Sequence, residues 1–485
     1  MTKDPVVVFL DPCHMLKLVR NTLADKKSII DEENEFVQFS FLEKLHNLQE
    51  SEGLHLGNKL RAAHLQWYRK KMNVKLAAQL LSCSVATSLE FCVEQRIPGF
   101  EGSVSTIKFI RRFNNLFDIF NSRNLNAKGF KAPMKASNAT ELITFLTDAV
   151  KYIASLKESR NGRQLIKSNR KTGFLGFIIS IHSLLKLYEY LVTSNRFGMS
   201  FLCTYKISQD HIELLFGKMR SLGGSNNNPS ARQFSAGYKR LLVHNEIQDV
   251  MKGNCLSLQD IPILTVSSSA HGHLKEDCPS VAAINNSSMN VTLIDADEHA
   301  VEDPDYTYVL NPVYISDCAE QIVAYIAGFV VLKLQKVLHC EICIASLSAS
   351  EINPVHSLIV KKSKGGLINP SQDVVDICIT CEKFFRSHVY NVSSTNLSRI
   401  KSHRIVSSVL ESYVNNSMVF ASLSNHMLDC SPLDNHLILL IKAVSEKYLQ
   451  VRYYYAGKQF SAKVKYAKHR TSRQQHTKLI LFSGL

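Results

Sequence analysis

The run VVVFLD, Val6 to Asp11, constrains this chain more than any other short stretch. Five apolar residues in a row lack the alternation of a half-buried strand, so they read as a strand covered on both faces. A lone strand cannot bury itself. It must join a sheet made later in the chain or one lost upstream, and on this ground a truncated N-terminus is expected. The strand ends on a carboxylate, Asp11. Pro12 follows at a first-turn position, where its missing N–H costs nothing. Cys13 and His14 come next, so the trio Asp11, Cys13 and His14 reads as a metal site, an acid site or a helix cap.

From 33 to 200 the pattern is helical. FVQFSFLEKLHNLQES, LAAQLLSCSVATSLEFCVEQR, SVSTIKFIRRFNNLFDIFNSR and ATELITFLTDAVKYIASLK place apolar residues at three- and four-residue spacing, punctuated by Pro98-Gly99 and Pro133. A second strand-like run, FLCTY, occupies 201–205, and helices are expected from about Asp210 and again after GGSNNNPSARQF to about residue 250. Residues 265–305 turn rich in Ser, Asn and Asp and read as a linker or insertion. Residues 313–349 and 371–392 are helical again. The 485 residues suffice for two or three domains with real cores.

No apolar stretch reaches the roughly 18 residues of a membrane helix. GFLGFIISIHSLLKLYEYLV and IVAYIAGFVVLKL read as core helices, and no membrane partner is expected. The N-terminus lacks a signal-peptide pattern, and the twelve cysteines are scattered rather than framed, as reduced thiols are. The net charge of +15 fits a polyanion partner as well as it fits a plain basic protein.

Four constellations could carry chemistry. In SQDHIELLFGKMR, Asp210 and Glu213 are three residues apart and share a helix face. They read either as a capping-box variant or, with Asp11, as carboxylates around divalent metal. The metal reading needs one more Asp, and Asp4 stands at the wrong end of the strand. In LFDIFNSR, Asp118 can accept from guanine N1–H and N2–H₂, Asn121 can read O6 or N7, and Phe117 can stack. The other reading is a helix end with a turn at Asn121-Ser122. No G-x-x-x-x-G-K-[ST] occurs, which excludes a P-loop. The pairs Cys340/Cys343 and Cys378/Cys381 are each C-x₂-C and could grip Zn²⁺, with His339 and His388 as further ligands. Buried helix cysteines are the competing reading. The tail 447–478 holds nine Lys/Arg and no Asp/Glu, with Tyr453, Tyr454, Tyr455 and Tyr466 interleaved. It reads as a DNA-facing or a solvated surface, and Arg220, Arg232 and Lys239 could face a DNA backbone.

DPCHMLKLVRN, LFDIFNSR and SQDHIELLFGKMRSLGGSNNNPSARQF closely resemble the P-element family of transposases, including its THAP-domain-bearing members in animals. The resemblance runs to the final TKLILFSGL. It implies an RNase H-like α/β catalytic fold with three acidic residues and a large all-α GTP-binding domain inserted between the second and third. Asp11 matches the second catalytic acid, Glu213 the third, and Asp210 a further acidic position. Asp118 and Asn121 match guanine-recognition residues and Lys59 a phosphate-side lysine. Ser82 and the stretch Asn73 to Lys75 lie where other nucleotide contacts are expected.

The domain expectation is therefore a split RNase H-like domain at 1–32 and 201–260, a helical GTP-binding insertion at 33–200, a linker at 261–310 and a basic helical region at 311–485. The resemblance implies a nuclear, homo-oligomeric DNA transposase using Mg²⁺ or Mn²⁺, with GTP bound but not hydrolysed. The family's first catalytic Asp and its zinc-binding THAP domain would lie upstream of residue 1, so weak cutting by this chain is expected. The alternative is a domesticated, non-cutting DNA- and GTP-binding protein.

Overall fold

The structure is a computed structural model. It describes residues 6–194, 197–224, 226, 228–244, 314–351, 356–363, 365–391, 402–414, 419–423, 426 and 435–467. The expected linker at 261–310 lies outside the described residues. The chain divides into two compact units, one of residues 1–210 with 311–485 and one of 211–310.

The first unit is mostly helical. In order it contains α1 (Pro12–Lys26), β1 (Ser28–Ile30), β2 (Phe36–Gln38), α2 (Ser40–Glu52), α3 (Ala62–Leu65), α4 (Val74–Leu80), α5 (Cys83–Glu94), α6 (Val104–Phe120), β3 (Met134–Lys135), α7 (Ala139–Ser155), β4 (Lys157–Glu158), α8 (Lys171–Tyr188) and β5 (Phe201–Leu202). Helix α9 (Asp210–Leu222) begins at its edge, and α10 (Ala231–His244) belongs to the second unit. The first unit resumes with α11 (Asp317–Leu334), α12 (Glu341–Ser346), α13 (Ser357–Lys362), α14 (Gln372–Asn391), α15 (Ser402–Val414) and α16 (His436–Ala467).

The expected opening strand does not form. Residues 6–11 are extended but join no sheet among the described residues, and Val6 and Val8 are 86% and 55% exposed. Their partner is a helix. The Val8 backbone N–H donates to Ser183 Oγ (3.1 Å), which donates back to the Val8 carbonyl (2.6 Å), and the Leu10 N–H donates to Ser180 Oγ at 3.1 Å. Residues i and i+2 of an extended chain face one way, as do i and i+3 of a helix. Two serines one turn apart on α8 thus replace a neighbouring strand.

The strands that do form are short. β1 lies between β2 and β4, both antiparallel, with Ile29 opposite Val37 and Glu158. Phe201–Leu202 is a strand, as expected of FLCTY, but it pairs with Met134–Lys135 and not with residues 6–11. Around these pairs α1 packs on α8, α4 and α6, and α5 on α6. The contact of α1 with α8 is close: a Cβ on Gly173 would sit 2.9 Å from Leu18 Cβ. Two helical stretches, Val74–Glu94 and Lys171–Thr193, do prove long and apolar enough to cross a membrane. The first is broken at Ser82 between α4 and α5, and both supply core residues such as Val85, Phe91, Phe174 and Ile181.

Helices α11, α14, α15 and α16 pack against one another. The centre of the bundle is a fully buried carboxylate, Glu382. It accepts from Arg386 Nε (2.9 Å), Arg452 Nε and Nη2 (2.7 and 2.9 Å) and the Tyr448 hydroxyl (2.8 Å). At Gly328 on α11 the backbone of Ile368 comes so close that a Cβ would lie 2.6 Å from its carbonyl oxygen. The bundle docks on the N-terminal helices. Arg386 reaches Glu52 at 3.3 Å, Ser316 donates to Glu52 at 2.7 Å, and Lys362 donates to the Ser84 carbonyl and Ser88 Oγ at 2.8 and 3.1 Å.

In the second unit, the loop between α9 and α10 is built as its sequence suggests. Gly224 has a φ of 68°, the left-handed region that glycine enters without strain. Ser230 and Gln233 then make a reciprocal capping box: Gln233 N–H donates to Ser230 Oγ (3.3 Å) and Ser230 N–H to Gln233 Oε1 (2.9 Å). Arg232, Lys239 and Arg240 are exposed on α10.

Candidate functional site

Asp11 settles one part of its own ambiguity by capping α1. Its Oδ2 accepts from the His14 backbone N–H at 3.0 Å and also meets His14 Nδ1. An Asp before Pro suits that role, since it satisfies a helix-start donor. Its other oxygen, Oδ1, is buried with no hydrogen-bond partner among the described residues. A dry carboxylate oxygen without a donor is costly unless positive charge reaches it.

Asp210 stands nearby and is also buried, and ligand atoms of Asp11, Cys13 and Asp210 lie within 4.8 Å of one another. Asp210 is the first residue of α9 rather than its cap. Its Oδ2 pairs with Arg123 Nη2 at 3.3 Å. The Arg123 guanidinium lies 3.7 Å from the Tyr205 ring centre, and its Nε donates to Asn121 Oδ1 at 3.0 Å. Sequence reasoning did not single out Arg123, although it closes the LFDIFNSR motif. Two carboxylates with one uncommitted oxygen suit a hard divalent cation, whereas the Cys13 thiol is a soft donor. Glu213 lies one turn beyond Asp210 in α9 and belongs to the second unit.

The guanine-reading candidates sit where α6 ends. Asp118 is in its last turn with Phe117, and Asn121 is its C-cap. Asp118 Oδ2 accepts from Asn114 Nδ2 at 3.1 Å, and Asn114 Oδ1 accepts from the Cys83 N–H at 3.0 Å. Ser82 caps the same end of α5. The Asn114 amide therefore ties Asp118 to the helix start that carries Ser82. Phe117 is half-buried against the core, and Lys59 and Lys75 are exposed.

Asn73 caps α4 through the Leu76 N–H at 3.0 Å. Behind it stand Arg20 and Asn21, which sequence reasoning passed over. Arg20 is fully buried, and burial pulls its guanidinium down to about 10. Its Nη2 donates to the carbonyls of Lys70 (3.0 Å), Lys71 (3.4 Å) and Asn73 (3.5 Å), and Asn21 Nδ2 donates to Lys71 (3.2 Å). These two residues hold the loop that starts α4 and so position Lys75. Their signal was an arginine and an asparagine inside an apolar helix.

The two cysteine pairs fare differently. Cys378 and Cys381 are fully buried in α14 and join no metal-ligand cluster among the described residues. Burial pushes the Cys381 thiol up to about 12 and Cys378 well above its ordinary value. The side chains that close around Cys340 and Cys343 are His426 and His436. The Cys343 backbone N–H, outweighing burial, holds the Cys340 thiol below its usual range. His339 is exposed, and the side chain of His388 lies outside the described residues. In the basic tail, Arg452 and Tyr453 prove to be core residues, Tyr454 and Tyr455 are exposed, and Tyr466's side chain lies outside the described residues.

Three family models match this chain. They are the TNP-like GTP-binding insertion domain over residues 13–133, the TNP-like RNase H C-terminal domain over 205–239, and the DNA transposase THAP9 C-terminal domain over 314–458. The chain is 30% identical over 471 residues to the DNA transposase THAP9 of Homo sapiens, covering 93% of this chain and 49% of that protein. It is 25% identical over 404 residues to the Transposable element P transposase of Drosophila melanogaster, covering 83% and 49%. It thus spans about half the length of the curated relatives it matches. Among solved structures it is similar to the Drosophila P element transposase strand transfer complex, at 28% identity and a TM-score of 0.42, over 49% of this chain and 51% of that one. The three segment matches follow one another along the chain and both curated relatives are transposases: along these segments the chain is homologous to P-element-like, THAP-related transposases.

Proposed function

We propose that the chain is the GTP- and DNA-handling portion of a P-element-like DNA transposase. Asp11 and Glu213 would hold divalent metal for phosphodiester cleavage and strand transfer, with Asp210 beside them. The observation that carries this reading is Asp11, which is buried close to a second buried carboxylate, Asp210, and whose Oδ1 has no donor among the described residues. Mg²⁺ or Mn²⁺, when bound, would activate water or a 3′-hydroxyl and stabilise the leaving oxygen. Asp11 would offer Oδ1 while His14 and the start of α1 fix Oδ2, and Arg123 would orient Asp210. In this reading residues 1–32 and 201–260 are parts of an RNase H-like domain working in the nucleus as a homo-oligomer. The exposed cations of α10 and the net positive charge support contact with DNA.

GTP would bind without hydrolysis in the region 13–133. Asp118 would accept from guanine N1–H and N2–H₂, and Asn121 would read its far edge. Lys59 and Lys75 would neutralise phosphate charge, with Ser82 as a hydroxyl partner. In a supercoiled-plasmid nicking assay with Mg²⁺ or Mn²⁺, Asp11→Asn and Glu213→Ala should lose the activity of the unaltered chain. Equal activity of all three would sink the metal assignment.

The Arg123–Asp210 ion pair favours a second reading, a non-cutting protein that binds DNA and GTP, because it commits one carboxylate oxygen to a guanidinium. That reading expects no nicking by the unaltered chain. Both readings expect Asp118→Asn to weaken GTP by about 1.5–3 kcal/mol, the worth of hydrogen bonds to a charged group. Unchanged affinity in a calorimetric titration would remove the guanine assignment.

A further inference from the structure

We propose that Cys340, Cys343, His426 and His436 form a four-ligand structural Zn²⁺ site within the C-terminal helices. Cys340 Sγ lies 3.2 Å from His426 Nε2, Cys343 Sγ lies 3.4 Å from His436 Nδ1, and the two ring nitrogens are 2.9 Å apart. All four ligand atoms fall within 4.8 Å of one another.

Hydrogen bonding does not account for this convergence. An imidazole nitrogen carries either one proton or one lone pair in the ring plane. His426 Nε2 nevertheless faces both Cys340 Sγ and His436 Nδ1, and His436 Nδ1 faces both Cys343 Sγ and His426 Nε2. A single cation at the centre satisfies all four atoms together. With Zn–S near 2.3 Å and Zn–N near 2.0–2.1 Å, a tetrahedron has S–N edges of about 3.5 Å and an N–N edge of about 3.3 Å. The observed edges are within a few tenths of an ångström of these. The two rings cross at 78°, so they fan out around a point instead of stacking. Two sulfurs and two imidazole nitrogens select zinc over Mg²⁺, and four protein ligands leave no open position for catalysis.

The ligands come from three places. Cys340 and Cys343 flank the start of α12, His426 follows the short helical turn Ala421–Leu423, and His436 opens α16. Zinc would fasten the beginning of α16 to α12 across a long connection. The ligand partners are 86 and 93 residues apart, well beyond the usual spacing of a zinc finger, which hides the site from a motif scan. The proposal is independent of the DNA and GTP assignments.

The test is metal analysis of the purified full chain by mass spectrometry. One zinc per chain is expected, retained in His339→Gln and lost at least tenfold in Cys340→Ser/Cys343→Ser and in His426→Gln/His436→Gln. Because those variants can fail to fold, the apo form of the unaltered chain is also titrated with Co²⁺. Strong visible bands and thiolate-to-cobalt charge transfer of a tetrahedral S₂N₂ centre are expected. Three results would each overturn the proposal: unaltered chain expressed with zinc yet purified without it, full zinc in a folded double-histidine variant, or a weak octahedral cobalt spectrum.

Discussion

Replacing Glu382 with alanine should destabilise the C-terminal helices by about 3–5 kcal/mol, the cost of breaking a buried ion pair from one side. The structure gives the reason. Glu382 is fully buried and receives two hydrogen bonds from Arg452, one from Arg386 and one from Tyr448. Both arginines are themselves buried. The substitution removes the charge that they share, while Arg386 keeps its contact with Glu52. With a urea slope of about 2 kcal/mol per molar, the unfolding midpoint followed by circular dichroism should fall by roughly 1.5–2.5 M. Replacing the set together, with Glu382→Leu, Arg386→Leu and Arg452→Met, should recover part of that loss, since no buried arginine is then left facing the missing carboxylate, although the Tyr448 hydroxyl loses its acceptor and Glu52 its arginine. A midpoint for Glu382→Ala within about 0.3 M of the unaltered chain would refute the reasoning, because such a small change is typical of an exposed ion pair. So would a triple variant as unstable as the single one.

The same carboxyl predicts a pH dependence. Burial alone would raise its pKa, but Arg452 and then Arg386 outweigh burial and hold it below the usual 4.5. A depressed folded-state value contributes stability that is complete above pH 4.5 and lost as pH falls through the lower value. Acid unfolding should therefore show a step in that window that Glu382→Ala lacks. Gly328→Ala should cost about 1–3 kcal/mol in thermal melting, because the new Cβ meets the Ile368 carbonyl and not a movable side chain. Gly366→Ala, with open space around it, is the control. Ser230→Ala should cost the second unit about 1 kcal/mol and speed hydrogen exchange in the first turn of α10, through loss of the capping box. Unchanged exchange there would count against the cap.

Helix periodicity carried most of the architecture that the sequence made legible. Most of the helices between 33 and 200, those within 313–349 and 371–392 and the glycine-rich turn before α10 stand where three- and four-residue spacing and turn chemistry put them, but FVQ at 36–38 forms β2 instead of opening α2, and LAAQLLSCSVATSLEFCVEQR is interrupted at Ser82. Asp11 as a helix cap was legible for the same local reason. What could not be read was tertiary. VVVFL looks like a buried strand because apolar run length says nothing of its partner, and the partner is a pair of serines about 170 residues away on a helix. CITC looks like a metal knuckle because spacing is blind to the fact that positions i and i+3 of a core helix face the same way. The ligands that join Cys340 and Cys343 come from single histidines with no motif of their own. Arg123 was hidden too, since its contact with Asp210 spans 87 residues.

The docking of the C-terminal bundle on α2 and α5 has a consequence for how the chain is made. Gln95 meets Ser357, Lys362 meets Ser84 and Ser88, and Arg386 meets Glu52, across separations of 262 to 334 residues. At a synthesis rate of about 5–20 residues per second, roughly 15 to 65 seconds pass before these partners exist. During that interval the end of α2 and the outer side of α5 lack the surface that later covers them. Either the N-terminal helices hold together on their own core through that interval, or they wait for the bundle to complete it.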